Sequence, residues 1–139
     1  MGKNENVSVI LNLKEAIVSV LVDDYEASRM EFIFDLGHQI MVTSVKTEPL
    51  YERNGYAKLM FTVLKALAEY YKMPIVLWSL NDAIKFYEKI GFLHLNDPEV
   101  QKLINIGNIE DEVVQEKLDE DDFVWLPQSL LGRKPTIYL

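Results

Sequence analysis

Cysteine is absent from the 139 residues of this chain. Without a thiol the chain can form no disulfide, no thiolate metal site and no cysteine nucleophile, and this absence fits a reducing cytosol. Long hydrophobic runs are also lacking, because no stretch approaches the ~20 apolar residues that span a bilayer. The opening residues MGKNEN lack the basic and then apolar pattern of a signal peptide. We therefore expect a cytoplasmic protein that does not interact with membranes.

Positive charge is scarce, since 22 acidic residues stand against 14 basic ones and the formal net charge is −8. Proteins that bind nucleic acid irrespective of sequence need a basic surface, so this composition argues against that class. Histidine occurs only twice, and neither histidine has a carboxylate cluster around it at ligand spacing. We therefore expect no metal site.

The negative charge is concentrated in residues 97–122, which contain ten acids and two bases, whereas the rest of the chain has twelve of each. Such a shift predicts an acidic helical insertion on a neutral scaffold, before the last strands. We expect one helix from Asp97-Pro98 to Gly107 and another over Ile109–Leu118. These acids either create a field that attracts cations or form the solvated faces of the two helices.

The hydrophobic share of 49% suffices for one packed domain over residues 1–139. The first third is rich in β-branched residues, with short connections, and predicts an antiparallel meander. Its strands are expected at Val7–Leu11, Ala16–Val22, Met30–Phe34 and Ile40–Val45.

The sequence period then changes to that of a helix. Between Gly55 and Lys72 polar residues recur every three or four positions, which predicts one amphipathic helix. A second helix is expected over Asp82–Ile90, closed by Gly91. The remaining strands are expected at Ile75–Trp78, Phe92–Leu95, Phe123–Leu126 and, as an extra edge, Pro135–Leu139. This order predicts an α/β sandwich with a mixed sheet.

The turn before the long helix, Pro49–Ala57, is suited to hold a phosphate. The first N–H groups of a helix lack partners within the helix, and its dipole adds about half a positive charge there. Gly55 permits backbone conformations closed to other residues, and Ala57 lets a ligand approach the chain. An isolated Gly-x-Ala is more often an ordinary turn, so this motif alone is weak.

A second motif follows about thirty residues later, over Asn81–Phe92. Together the two motifs resemble the GNAT superfamily of N-acetyltransferases. That family carries Gln/Arg-x-x-Gly-x-Gly/Ala and then, at this separation, Ala-x-x-Phe/Leu-Tyr-x-Lys-x-Gly-Phe. The matching residues are Pro49, Tyr51, Gly55, Ala57, Ala83, Phe86, Tyr87, Lys89, Gly91 and Phe92. The likeness covers residues 40–96.

The resemblance implies a GNAT-like α/β fold, in which flanking helices pack on a mixed, mostly antiparallel central sheet. This chain departs from the family in three places. Glu52 stands where the family has Gln or Arg, with Arg53 one place late, and Leu80 stands where the family has Asn, with Asn81 one place late. The helices that usually join the first two strands have only Asn12–Glu15 available, which predicts a shortened N-terminal helical region.

The resemblance also implies an activity, the transfer of an acetyl group from acetyl-CoA to an amine that attacks the thioester directly. A backbone N–H in Val42–Val45 would polarise the carbonyl, and Tyr87 would protonate the leaving thiolate. The residues expected to contact acetyl-CoA are Val42, Thr43, Ser44, Val45, Glu52, Arg53, Asn54, Gly55, Tyr56, Ala57, Asn81 and Tyr87.

Several points stay open. The candidate bases are Glu31, Glu48 and His94, with Asp35 and His38 also near the central strands. The expected acceptor is a small-molecule amine, which the acidic segment would favour if cationic, or a protein lysine or N-terminal amine. A homodimer is a further expectation. The competing interpretation is a catalytically silent GNAT-fold module that binds acyl-CoA or a protein partner.

Three other enzyme classes lack their motifs. No glycine-rich dinucleotide turn follows the first strand, no Gly-Lys-Ser/Thr triplet occurs, and no Gly-x-Ser-x-Gly elbow occurs.

Overall fold

The computed structural model describes residues 5–107 and 120–138. The strands are β1 Val7–Asn12, β2 Ile17–Val22, β3 Tyr25–Asp35, β4 Gln39–Thr47, β5 Ile75–Trp78, β6 Leu93–His94, β7 Asn105–Gly107, β8 Asp122–Trp125 and β9 Thr136–Tyr138. The helices are α1 Tyr56–Tyr71, α2 Ile84–Lys89 and α3 Pro98–Gln101, with 3-10 turns at Pro49–Tyr51, Asn81–Ala83 and Gln128–Leu130.

Seven of these strands form one sheet in the order β1-β2-β3-β4-β5-β8-β6. Neighbouring strands run antiparallel except β4 and β5, which run parallel. The predicted mixed, mostly antiparallel sheet is therefore confirmed. A parallel pair needs a crossover connection, and α1 supplies it between β4 and β5.

The first two strands join directly. Residues 13–16 form a tight turn in which the Ala16 N–H donates to the Leu13 carbonyl oxygen at 3.2 Å. This hairpin occupies the place where the family carries two helices, so the N-terminal region is shortened as expected.

The long helix α1 covers one face of the sheet. Its buried residues recur every three or four positions, which is why the periodicity predicted it correctly. These residues are Met60, Phe61, Leu64, Leu67 and Ala68. They pack against Val18, Val20, Met30, Phe32, Ile40 and Leu77 of the strands. Burial of each large apolar side chain contributes about 1.5–3 kcal/mol. The helix ends at Lys72, whose left-handed conformation (φ 57°) forms the C-terminal cap.

A smaller cluster forms on the other face of the sheet, where Val76, Leu95, Val100, Val124 and Ile137 are buried. The strands β7 and β9 contribute to this cluster, and they pair with each other, parallel, in a second, two-stranded sheet. The Gln39 side chain joins that sheet to β4, since its Oε1 accepts from the Tyr138 N–H at 2.8 Å.

The prediction of one helix from Asp97-Pro98 to Gly107 is wrong beyond its first turn. Asp97 does cap α3, accepting from the Glu99 N–H at 2.9 Å, but the helix ends at Gln101. The chain turns there because Ile104 enters the second cluster and β7 pairs with β9. The strand expected at Pro135–Leu139 is present as β9, Thr136–Tyr138, but it pairs with β7 in the two-stranded sheet and does not extend the edge of the seven-stranded one. The helix expected over Ile109–Leu118 lies outside the described residues.

Among residues 5–107 and 120–138, no helix is long and apolar enough to cross a bilayer.

Candidate active site

The parallel strands β4 and β5 separate after a short contact. They pair only over Ile40–Val42 and Ile75–Leu77, after which β4 continues to Thr47 and β5 ends at Trp78. A cavity of about 760 Å³, which we name the β4–β5 cavity, opens between them. Its size suits a small-molecule ligand.

Three parts of the chain line this cavity: β4, the turn before α1, and the segment from the end of β5 into α2. The lining residues are Val42, Thr43, Ser44, Val45, Lys46, Thr47, Tyr51, Glu52, Arg53, Gly55, Tyr56, Ala57, Lys58, Leu77, Trp78, Leu80, Ala83, Phe86 and Tyr87. The predicted turn, the predicted strand segment and Tyr87 are therefore brought together in one place.

A β-bulge lies where the cavity begins. Glu31 pairs with Ser44 across β3 and β4, whereas the next residue, Phe32, pairs with Val42. Thr43 is therefore the extra residue of the bulge, and its Oγ1 donates to the Glu31 carbonyl oxygen at 3.2 Å. From this point β4 has β3 on one side and, in the described residues, no strand on the other. Its cavity-facing backbone groups are thus available to a ligand.

The turn before α1 offers a row of hydrogen-bond donors. Six consecutive backbone N–H groups, from Arg53 to Lys58, donate to no acceptor within the described part of the chain. The first backbone hydrogen bond runs from the Leu59 N–H to the Gly55 carbonyl oxygen at 3.0 Å. Gly55 is the N-cap residue with φ 78°, a left-handed conformation that glycine adopts without strain. Such a row at a helix N-terminus binds phosphate.

The charged residues that line the cavity are mainly basic. Among the described residues, Lys46, Arg53 and Lys58 line it together with a single acid, Glu52, although the chain as a whole carries −8. Basic groups beside a row of N–H donors favour a polyanionic ligand.

Tyr87 lies on α2 with its ring in the core and only 7% of the residue exposed. The ring stands edge-on to Phe61 and Phe92, with centroids 5.5 and 5.7 Å apart. Burial raises the pKa of the Tyr87 phenol, so it holds its proton at ordinary pH. In residues 5–107 and 120–138 no group forms a hydrogen bond with its hydroxyl. The geometry therefore combines a core aromatic ring with a protonated hydroxyl that can donate to a ligand.

Asn54, one of the expected contacts, is not among the residues that line the cavity. Asn54 belongs to the turn and its Nδ2 donates to the Tyr51 carbonyl oxygen at 2.8 Å, which holds the turn together. Asn81 begins the 3-10 turn that precedes α2.

The candidate bases also lie outside the lining. The Oε2 of Glu31 accepts from the Arg29 Nε at 3.1 Å, and Glu48 is exposed just before the first 3-10 turn. The His94 Nε2 lies 2.6 Å from the Glu88 Oε2, and the centre of its ring lies 4.5 Å from that of Phe123, with the two rings tilted by 44°. Asp35 and His38 pair with each other at the β3–β4 turn, far along β4 from the cavity. Their catalytic role stays a prediction.

Sequence reasoning missed part of the lining, above all Lys46, Lys58, Trp78 and Leu80. Trp78 is 73% exposed and Leu80 is 79% exposed, although the other three residues of β5 are buried. The available signal was their position, since Trp78 ends the strand that leads into the second motif and Leu80 follows two residues later.

No sequence-family model matches the chain, and no curated protein matches it in sequence. Its fold does match solved structures. The Bacillus subtilis N-acetyltransferase YlbP, solved with coenzyme A, superposes with a TM-score of 0.58 at 16% identity, over 81% of this chain and 68% of that protein. The chain has the GNAT fold.

Two further structures agree. The GNAT family N-acetyltransferase YhbS from Escherichia coli, also solved with CoA, gives a TM-score of 0.59 at 12% identity, over 88% of this chain and 65% of YhbS. The ribosomal-protein-S18-alanine N-acetyltransferase from E. coli gives 0.54 at 18% identity, over 61% of this chain and 57% of that enzyme. The expected fold is confirmed; at these identities the likeness shows the fold, and the activity is a separate matter.

Proposed function

We propose that this protein is an N-acetyltransferase that binds acetyl-CoA in the β4–β5 cavity and transfers the acetyl group to an amine. The observation that carries the proposal is the row of six N–H donors at Arg53–Lys58, at one end of a cavity whose other end reaches Tyr87. The likeness to GNAT-fold proteins solved with coenzyme A supports it.

The cavity fits an extended ligand with phosphates at one end. The N–H row would hold the pyrophosphate, and Lys46, Arg53 and Lys58 would balance its charge. From the turn, β4 leads back over Thr47 to Thr43, a span of ~13 Å at about 3.3 Å per residue. Its backbone groups can receive the amides of a pantetheine arm, which leaves the thioester at the Thr43 bulge.

Acetyl-CoA supplies an acyl carbon that is activated as a thioester. Backbone N–H groups of β4 at the bulge stabilise the negative charge that develops on the carbonyl oxygen. The amine nitrogen forms the new C–N bond as the C–S bond breaks, and the thiolate takes the proton of the Tyr87 hydroxyl. The proton that the acylated nitrogen then loses restores the Tyr87 phenol. The amine must first lose a proton, since a lysine-like ammonium has a pKa of ~10.4.

We propose Glu31 as the base that receives this proton through one water molecule. Glu31 does not line the cavity, but it pairs with Ser44, which does. Glu48 and His94 have weaker support: Glu48 lies beyond the end of β4, and His94 is hydrogen-bonded to Glu88.

The acidic segment adds no support for a cationic acceptor in its described parts, 97–107 and 120–122. Asp97 caps α3, Glu99 pairs with Lys102 at 3.0 Å, and no acid of these parts lines the cavity. We therefore propose an amine acceptor whose recognition does not depend on Asp97 or Glu99.

The second candidate function is a GNAT-fold protein that binds acyl-CoA without transferring the acyl group. The position of Glu31, Glu48 and His94 outside the lining favours it, as does Glu52 where the family has Gln or Arg.

Two measurements test the proposal. Native mass spectrometry of the purified protein should show that CoA binds. In thermal unfolding CoA should raise the Tm, whereas pantetheine, which has no phosphates, should not raise it. Lys58→Gln should weaken CoA binding about 2- to 5-fold, as expected for one lost charge contact, and Lys72→Gln at the far end of α1 should not. Release of free thiol from acetyl-CoA with a panel of amines then separates transfer from binding alone. Equal stabilisation by CoA and pantetheine would contradict the proposal that the N–H row binds the phosphates of CoA.

A further inference from the structure

Trp78 presents a large apolar surface at the point where β4 and β5 separate. Leu77 is the last residue of β5 with a partner in β4, and Trp78 is the next residue. Its side chain and that of Leu80 are exposed by 73% and 79%, and both line the β4–β5 cavity. Grouped, exposed apolar side chains at a cavity are typical of a ligand-binding site.

Trp78 lies at the end of the cavity where the reaction would take place. The N–H row at Arg53–Lys58 fixes the phosphate end, so a bound acetyl-CoA directs its thioester toward the opposite end, between Thr43 and Tyr87. Trp78 borders that end. This inference therefore rests on the proposed function.

The strand alternation shows which face Trp78 occupies. Ile75 and Leu77 pack in the cluster under α1, whereas Val76 packs in the cluster on the other face. Because side chains alternate along a strand, Trp78 shares the face of Val76. Within the described residues its indole stacks on no other aromatic ring.

Across the opening, β4 presents polar groups on the same face. Val42 and Val45 pack toward α1, so Ser44 and Lys46 point to the face of Trp78. The cavity thus has an apolar wall of Trp78 and Leu80 opposite a polar wall of β4.

The charges in the cavity select among amines. Glu52 is the one acid among the described lining residues and it lies in the turn at the phosphate end, so the additional ammonium groups of a polyamine would find no lining carboxylate near Trp78. A single ammonium attached to an apolar body instead gains from the indole twice, through cation–π attraction and through burial of the body.

We propose that Trp78 and Leu80 form the acceptor subsite, and that the acceptor is a primary monoamine with an aromatic or aliphatic apolar body. The base first takes a proton from the ammonium group. The nitrogen then forms the C–N bond to the acetyl carbon as the C–S bond breaks, the thiolate takes its proton from Tyr87, and the proton lost by the acylated nitrogen restores the Tyr87 phenol.

The two tryptophans of the chain, Trp78 and Trp125, allow a binding test that needs no turnover. Trp125→Phe leaves Trp78 as the reporter, and Trp78→Phe leaves Trp125 as the control. With saturating CoA, 2-phenylethylamine or hexylamine should shift the Trp78 emission to shorter wavelength in a saturable way, and leave the control unchanged. Spermidine and an aminosugar should have no saturable effect. Absence of any saturable response of Trp78 to the monoamines overturns the subsite, and an equal response to spermidine overturns the amine class.

Kinetics separate this inference from the proposed function. Trp78→Ala should raise KM for the apolar monoamine about tenfold or more, as for other lost apolar pocket contacts, with KM for acetyl-CoA unchanged. Leu80→Ala should raise it less, and Leu50→Ala, equally apolar and 92% exposed but outside the lining, should not. If the monoamines change the Trp78 emission but no thiol is released from acetyl-CoA, the amine subsite is supported and the proposed acetyl transfer is overturned. Thiol release with KM unaffected by Trp78→Ala supports transfer and overturns the subsite.

Discussion

The Nζ of Lys65 on α1 donates a hydrogen bond to the carbonyl oxygen of Ile90, the residue at which α2 ends. The same Nζ lies 5.4 Å from the centre of the Trp125 ring and 5.9 Å from that of Phe92. Because α2 carries Tyr87, this contact ties the proposed acid to the helix that begins at the phosphate turn. Burial, and secondarily repulsion from Lys58, lowers the pKa of Lys65.

Lys65→Met tests whether this contact holds α2 against α1. The variant keeps the apolar stem but removes the cation from the C-terminus of α2 and leaves the Ile90 carbonyl without this donor. The desolvation that lowers the Lys65 pKa offsets part of the loss, so we expect about 1 kcal/mol lower stability rather than about 2. Urea unfolding measures it, with Lys72→Met as the exposed control. Unchanged stability of Lys65→Met relative to that control would show that the contact does not hold α2.

Gly55→Val should abolish the thermal shift produced by CoA. Gly55 has φ 78° and a Cβ added there meets nothing within 4 Å, so the substitution acts through backbone strain and through bulk facing the ligand. A side chain in this conformation costs ~1–2 kcal/mol. Gly37→Val is the matched control, because Gly37 has φ 89°, equally open surroundings and a place outside the β4–β5 cavity.

The two glycine variants should lose similar stability, and only Gly55→Val should lose the response to CoA. If CoA raises the Tm of Gly55→Val as much as that of the wild type, this turn does not bind CoA.

The sequence predicted those elements whose signal is local. The polar stripe between Gly55 and Lys72 and the β-branched strands of the first third carry their own periodicity, and both agree with the structure. The helix expected through Gly107 failed because pairing between β7 and β9, about thirty residues apart, outweighs local helix propensity there.

The cavity itself depends on contacts that no local pattern records. Its opening results from the length difference between β4 and β5 beyond Val42 and Leu77 and from the bulge at Thr43. Trp78 ends the strand predicted at Ile75–Trp78, and it is exposed because β4 has already diverged from β5 at that point.

Tyr87→Phe should lower kcat about 10²- to 10⁴-fold, the usual effect of losing a general acid, with CoA affinity near that of the wild type. The ring contacts with Phe61 and Phe92 remain, so the fold should be kept. Tyr70→Phe, on an exposed position of α1, is the control for removal of a hydroxyl. If Tyr87→Phe turns over an accepted amine at the wild-type rate, Tyr87 serves packing only.

Tyr87 should also make stability depend on alkaline pH. Burial raises the pKa of its phenol in the folded protein above the usual value of ~10, which the unfolded chain retains. The folded state therefore binds more protons between these two pKa values, and linkage requires that stability falls as pH rises through that window. The contribution is fully present below pH ~10 and is lost as the pH passes the folded pKa. We expect the free energy of unfolding of the wild type, measured with urea from pH 8 to 11.5, to fall more steeply above pH 10 than that of Tyr87→Phe. Parallel curves for the two proteins would mean that the phenol ionises as readily in the folded state as in the unfolded one, and the same result would weaken its assignment as a proton donor.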